Sequence, residues 1–253
     1  MTWLEWWLPE QLSLVASLSL VVISFFTSAL TAAVGIGGGV MLLAIMANLM
    51  PAAAIIPVHG VVQLGSNLGR LLTLAGLTDW RMAGWFSLGS VFGALAGGQL
   101  AVSIPPAFLQ LALGSFILYS AWMPVFRLPA GRKSISLLGA GTAFLAMIVA
   151  GIAPFVFVVL KDLFSDRRAL IATQTAMMTT QQVLKIVIFG SLGFVFSDWY
   201  GLLVLMVGTG FAGTLSGKYF LNRLPAERVQ PILKALLTVM AFRLLYMGYG
   251  SLG

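Results

Sequence analysis

Two long stretches of this chain contain no charged residue. Residues 11–69 and residues 82–126 are free of Asp, Glu, Lys and Arg. Because a helix needs roughly 20 apolar residues to cross a bilayer, the first stretch has room for nearly three crossings. Transmembrane β-strands alternate polar and apolar residues, whereas these apolar runs are continuous. The sequence therefore predicts an all-α polytopic membrane protein.

The composition of the whole chain supports this class. Charged residues make up 8% of the 253 residues, against about 25% in soluble domains. The chain has no cysteine and one histidine, so we expect no thiolate metal site, no other metal site and no cofactor. The net charge of +7 lies mostly in short loops, where it indicates membrane orientation. The expected surroundings are a lipid bilayer, with no nucleic acid partner.

Glycine and proline interrupt the apolar sequence in two places. Gly-Ile-Gly-Gly-Gly occupies residues 35–39, and Gly-Ile-Ala-Pro occupies residues 151–154. Each interruption precedes a half-length apolar segment, and breaks of this kind are tolerated in a membrane only inside protein or beside a cavity. The ten predicted helical segments are 11–34, 37–50, 51–76, 81–102, 106–124, 134–150, 152–161, 168–194, 198–220 and 228–250.

The two halves of the chain share a spacing pattern. Gly35 and Gly151 are 116 positions apart, Arg70 and Lys185 are 115 apart, and Gly93 and Gly213 are 120 apart. We therefore predict two structural repeats, each a broken helix or re-entrant hairpin followed by three transmembrane helices. The predicted organisation is an N-terminal interfacial segment (1–10), a first repeat (11–126), a cytoplasmic linker (127–133) and a second repeat (134–253).

Basic loops predict the membrane topology. Loops 124–133, 161–168 and 218–228 each carry three Lys or Arg residues, and short loops of this kind face the cytoplasm. All three do so if 11–50 and 134–161 are re-entrant hairpins, which makes the repeats inverted and leaves the N-terminus outside. An eight-crossing model with parallel repeats stays open, because 11–34 is long enough to cross fully. The predicted location is the bacterial inner membrane.

Gly37, Gly38 and Gly39 form the first candidate site. Backbone amides at the start of a helix favour an anion, and residues without side chains allow close approach. The competing interpretation is tight helix packing, for which glycine is equally suited.

Arg70 and Lys185 lie inside predicted spans at matching repeat positions. Cations within a membrane are costly and are functional candidates for that reason. Arg70 is near enough to its span end to reach the headgroups instead, whereas Lys185 lies deeper. Two matched cations suit an anionic substrate.

A polar stripe precedes each of these cations. His59, Gln63 and Asn67 lead to Arg70, and Thr179 and Gln182 lead to Lys185. Interhelical hydrogen bonding would also explain the stripes. All seven acidic residues fall in loops or at span ends, so proton coupling would depend on His59 or on protonation of the substrate.

Gly89, Gly93 and Gly97 recur every four residues, echoed by Gly213 and Gly217. This spacing predicts close helix packing and leaves a homodimer open.

These motifs resemble the TauE/SafE family of sulfite and organosulfur-anion transporters. The resemblance is carried by residues 35–39, Pro51, residues 57–70, the glycines at 89, 93 and 97, and Pro105. The second half departs from the family pattern, because Gly-Ile-Ala-Pro-Phe at 151–155 replaces a second glycine-rich element. The resemblance implies a transporter of a small sulfur oxyanion, commonly an exporter of sulfite, and not an enzyme.

The predicted mechanism holds the anion near the membrane midplane between the two broken helices. A passive anion channel, or transport of an organosulfonate such as taurine or sulfoacetate, remains an alternative. An intramembrane enzyme is the alternative from another class, and it would depend on His59 as its base.

Overall fold

The computed structural model describes residues 7–34, 37–122, 131–220 and 226–251. Side chains are described throughout these ranges except at 34, 218–220 and 226–230. Within them the chain forms ten α-helices and no strand. The helices are α1 (Leu14–Val34), α2 (Gly38–Leu49), α3 (Ala52–Leu74), α4 (Trp80–Ser103), α5 (Pro106–Trp122), α6 (Arg132–Val149), α7 (Ala153–Leu160), α8 (Arg167–Ser191), α9 (Tyr200–Phe220) and α10 (Ala226–Gly250).

The ten predicted segments are confirmed as helices within the described residues. Residues 1–6 of the predicted interfacial segment, residues 35–36 of the first break and residues 127–130 of the predicted linker lie outside them. Loop 218–228 is likewise described only in part. The division of the chain into four regions stays a prediction.

Local signals place the helix ends. Asp79 caps α4 by accepting a hydrogen bond from the amide of Met82 at 2.9 Å. Asp166 caps α8 in the same way, accepting from the amide of Arg168 at 2.8 Å. Such caps satisfy amides that have no partner inside the helix. Gly37 starts α2 with φ +101, a conformation that L side chains rarely adopt.

Among the described residues, five helices have the length and apolar composition needed to cross a membrane. They cover Leu14–Ala33, Trp80–Ser103, Arg132–Val149, Phe196–Gly217 and Pro231–Gly250. Helices α3 and α8 are long as well, with 23 and 25 residues, but they carry the polar stripes. The chain is a multi-pass membrane protein.

Contacts between helices fix their relative directions. Helices run parallel where contacting residue numbers rise together. This holds for α1 with α9, for α3 with α9, for α4 with α6 and for α4 with α8. The contacts are Val21–Thr209 and Phe25–Gly213 for α1 with α9, Gly65–Val207 and Gly69–Phe211 for α3 with α9, Gly89–Ser136 and Gly93–Ala140 for α4 with α6, and Asp79–Thr173 and Ser87–Thr180 for α4 with α8.

These directions make α1–α2 and α6–α7 helical hairpins. Since α1 and α3 both parallel α9, α2 must return the chain towards the end where α1 began. The same argument applies to α7, because α6 and α8 both parallel α4. With 21 residues, α1 is roughly 30 Å long, enough to cross the bilayer core. Whether the hairpins are re-entrant therefore stays a prediction.

The glycine ladders lie at helix–helix contacts inside this chain. A Cβ on Gly89 or Gly93 would collide with the carbonyl oxygen of Ser136 or Ala140 on α6. On α9, a Cβ on Gly213 would collide with the Phe25 carbonyl of α1. The predicted close packing is confirmed, since only glycine allows these backbones to approach so closely. A homodimer stays a prediction.

Candidate functional site

A cavity lies where the tips of the two hairpins meet. Gly151 at the second tip packs against Val40 and Leu43 of α2. The cavity volume is about 40 Å³, by a measure in which one water molecule needs roughly 10–15 Å³. It therefore has room for a few water-sized groups. Its lining comes from α1, α2, α3, α6, α7 and α8 and from both hairpin tips.

Eight of the ten predicted site residues line this cavity. They are Gly37, Gly39, His59, Gln63, Asn67, Arg70, Gln182 and Lys185. Gly38 does not, because it faces the Thr27 carbonyl and the Thr31 hydroxyl of α1. Thr179 does not either, since its hydroxyl donates to the Thr175 carbonyl of its own helix at 2.8 Å.

Two cations line the cavity, each with a neutral amide as hydrogen-bond partner. Lys185 is 1% exposed, and its Nζ donates to Oε1 of Gln182 at 3.0 Å. Nη2 of Arg70 donates to Oδ1 of Asn67 at 2.6 Å. No lining residue in the described part of the chain is Asp or Glu. The cavity is therefore electropositive, and a charge buried as deeply as that of Lys185 needs a counter-ion.

The two amide–cation pairs have the same residue spacing. In each pair the cation follows its amide by three residues on one helix, α3 or α8. Corresponding members of the two pairs are 115 positions apart: Asn67 corresponds to Gln182 and Arg70 to Lys185. The two halves thus bring equivalent groups to one cavity.

A second matched contact ties each half-helix to the helix that follows it. Nε2 of His59 lies 3.0 Å from the carbonyl oxygen of Gly39. Nε2 of Gln174 donates to the carbonyl oxygen of Ala153 at 2.7 Å. Sequence reasoning missed Gln174 as a lining residue. The offset of 115 between positions 59 and 174 was the signal that could have found it.

Gln181 is another lining residue that the sequence did not single out. It is 3% exposed, and its Nε2 donates to the Thr142 hydroxyl on α6 at 2.9 Å and approaches the Ser90 hydroxyl on α4 at 3.3 Å. These bonds fix α8 against two neighbouring helices, so Gln181 holds the second half of the cavity wall in place.

Comparison with known families identifies this architecture. The model of the family described as "Sulfite exporter TauE/SafE" matches residues 20–244, which include both hairpins and the cavity. No curated protein and no solved structure matches the chain. Members of this family are membrane transporters of sulfur anions. The chain belongs to the TauE/SafE sulfite exporter family.

Proposed function

We propose that this protein exports sulfite across the bacterial inner membrane and binds the anion in the cavity between the two hairpin tips, near the midplane. The observation that carries the proposal is the pair of cations in that cavity. Lys185 and Arg70 line a space with no carboxylate among its described residues. An uncompensated buried cation is costly, so a bound anion would offset the cost.

The lining residues divide the work of binding. The amides of the first turn of α2, around Gly39, have no carbonyl partner inside that helix and favour negative charge. Lys185 and Arg70 supply the balancing charge. Hydrogen bonds come from the neutral side chains, which are His59, Gln63, Asn67 and Gln182.

The cavity volume supports a compact oxyanion as substrate. About 40 Å³ accommodates few atoms beyond a central atom and its oxygens. An organosulfonate such as taurine or sulfoacetate adds a carbon chain and a second polar group. We therefore rank sulfite above these larger anions.

Helix pairing supports inverted repeats and a carrier mechanism. When each first-half helix is replaced by its second-half equivalent, the α1–α9 pair becomes the α6–α4 pair. Both pairs are parallel, and regularly spaced glycines lie at the contact in each. The α3–α8 and α5–α10 pairs map onto themselves. Helix α3 runs opposite to α8, as inversion requires. In such folds one bundle rocks against the other around a central site.

Charge distribution supports an outside N-terminus. The first turns of α4, α6 and α8 lie at one end of the molecule and carry Arg81, Arg132, Lys133, Arg167 and Arg168. Glu10 and Asp198 lie together at the opposite end. The positive-inside rule assigns the first end to the cytoplasm.

Sulfite flux in proteoliposomes tests the proposal. We expect flux that saturates with sulfite concentration and is lost in Lys185→Met. Arg243→Met is the matched control, because Arg243 is an exposed cation on α10 outside the cavity lining. Flux that rises without saturation and carries a conductance would support a channel instead. Chemical conversion of sulfite by the protein would favour an enzyme, and full flux in Lys185→Met would overturn the assigned site.

A further inference from the structure

Two buried side-chain atoms of cavity-lining residues have no hydrogen-bond partner among the described residues. They are Nδ1 of His59 and Nε of Arg70. His59 is 1% exposed, so water outside the protein does not satisfy its nitrogen. Buried polar atoms are nearly always paired, so an unpaired one on a residue that lines a cavity is a candidate contact for a ligand.

The hydrogen bond to Gly39 determines whether Nδ1 of His59 donates or accepts. A carbonyl oxygen only accepts, so Nε2 of His59 carries the hydrogen in the 3.0 Å contact with Gly39. In the neutral ring Nδ1 then holds a lone pair and acts as an acceptor. The orphaned atom of Arg70 is a donor, because guanidinium nitrogens only donate. Arg70 follows His59 by eleven residues on α3, roughly 16 Å along the helix axis, so one compact ion does not contact both atoms. A ligand at His59 must donate a hydrogen bond to Nδ1.

Cationic side chains line the same cavity as this acceptor. Lys185 packs against α3 beside this ring, since its Cδ would lie 2.9 Å from a Cβ placed on Gly60, the neighbour of His59. Among the described residues, Arg70 on α3 and Lys185 on α8 are the charged residues of the lining, and α1, α2, α6 and α7 add no titratable side chain to it. A third positive charge on the ring would add repulsion.

We propose that His59 selects the protonated, monoanionic form of the oxyanion. This inference rests on the proposed function and concerns the same cavity. The ligand O–H donates to Nδ1 of His59, while its remaining oxygens accept from Lys185 and the amides of the first tip. The ligand enters and leaves with its proton, so no bond is made or broken. A fully deprotonated dianion would set an oxygen lone pair against the lone pair of Nδ1.

Sulfite and methanesulfonate form the matched ligand pair for the test. Sulfite loses its second proton near neutral pH, whereas methanesulfonate carries a methyl group on sulfur, has no O–H to donate and stays a monoanion. Affinities of the intact purified protein would be measured by calorimetry below and above that ionisation. Sulfite affinity should fall in proportion to the hydrogensulfite fraction. Below the ionisation it should exceed methanesulfonate affinity about tenfold, the scale set by one unpaired buried polar group.

Methanesulfonate also reports any titration of the protein itself, because its own charge is constant. If neither anion binds at any pH, the proposed function fails. If sulfite binds equally well on both sides of its ionisation, or follows the methanesulfonate profile, the proposed function stands and the selection by His59 is wrong. These comparisons use the wild-type protein, so they do not depend on a variant that folds.

Two variants locate the effect. His59→Met removes the lone pair and the tie to Gly39, and it should abolish the preference for protonated sulfite. Gln174→Met removes the equivalent tie to Ala153 in the second half and should retain that preference. Persistence of the preference in His59→Met would assign it to another group and overturn the inference.

Discussion

The two hairpin tips make similar contacts to the helix that follows but differ in the hydrogen-bond donors that they present to a ligand. A side chain of the following helix contacts a backbone carbonyl at each tip. It is His59 in the first half and Gln174, 115 positions later, in the second. The first tip begins α2 with glycines, whereas the second has Pro154 in the first turn of α7. Because proline has no amide hydrogen, the second tip has fewer donors.

This difference supports the proposal that the two halves of the chain contribute different groups to one binding site. The first half supplies open amides, an acceptor at His59 and a half-buried guanidinium at Arg70. The second half supplies the most deeply buried charge, Lys185, which donates a hydrogen bond to Gln182. We therefore expect equivalent substitutions in the two halves to have unequal effects on binding and equal effects on packing.

Removing the buried lysine should have the largest effect. Lys185→Met should weaken sulfite binding about a hundredfold, since loss of one partner of a buried charge pair costs 2–5 kcal/mol or more. Without sulfite the variant should be no less stable than wild type, because an uncompensated buried cation has been removed. Thermal unfolding with and without sulfite measures both quantities. Arg243→Met is the control for net charge, and wild-type stabilisation of Lys185→Met by sulfite would contradict the account.

Substitutions in the glycine ladders should affect both halves equally. Gly93→Ala and Gly213→Ala each place a Cβ against a backbone carbonyl that cannot rotate away, so each should lower the free energy of unfolding by about 2 kcal/mol. Gly84→Ala on α4 and Gly208→Ala on α9 are matched controls with open space around the new Cβ. The controls should be neutral or up to about 1 kcal/mol more stable. A large cost in one ladder only would break the proposed equivalence of the halves.

Removing the arginine should have a smaller effect than removing the lysine. Arg70 is partly exposed, so solvent screens its charge more than that of Lys185. Arg70→Met should weaken sulfite binding about tenfold, or about 1.4 kcal/mol, which is less than the 2–5 kcal/mol for a fully buried charged partner. The same calorimetric titration measures it. Losses of equal size in Arg70→Met and Lys185→Met would show that the halves contribute alike and would remove the asymmetry argued above.

An added methyl at the first tip should have the smallest effect. A Cβ on Gly39 would collide with Nε2 of Gln63, the end of a flexible side chain. Gln63 can move aside, so folding should be nearly unaffected while sulfite affinity falls about threefold, the cost of one perturbed hydrogen bond. Gly141→Ala, an open helical position, is the control. Unchanged affinity in Gly39→Ala would exclude Gln63 and the first tip from binding.

Most of the fold could be predicted because its signals are local. Apolar runs, glycine and proline define helices and their breaks without knowledge of the neighbours. The two cations were also predictable, since burying charge in an apolar span is costly wherever the span packs. Helix directions and pairings were not, because they depend on contacts between residues far apart in sequence, such as Phe25 and Gly213.

The candidate site was predictable at the level of helix faces and not of individual side chains. Thr179 shares the face of Gln182 and Lys185, yet its hydroxyl bonds to the carbonyl four residues earlier, an option that spacing does not reveal. Thr31 and Gln174 line the cavity because of how α1 and α8 are rotated. Rotation is set by packing against other helices, which the sequence pattern leaves undetermined.

The most direct test of the central claim is a structure of the protein with selenite, the selenium analogue of sulfite. Anomalous scattering from selenium locates the anion without assumptions about its partners. The account predicts one site between the first tip at Gly39 and the ammonium of Lys185, absent in Lys185→Met. Selenium bound elsewhere, or an empty cavity in protein that transports selenite, would contradict it.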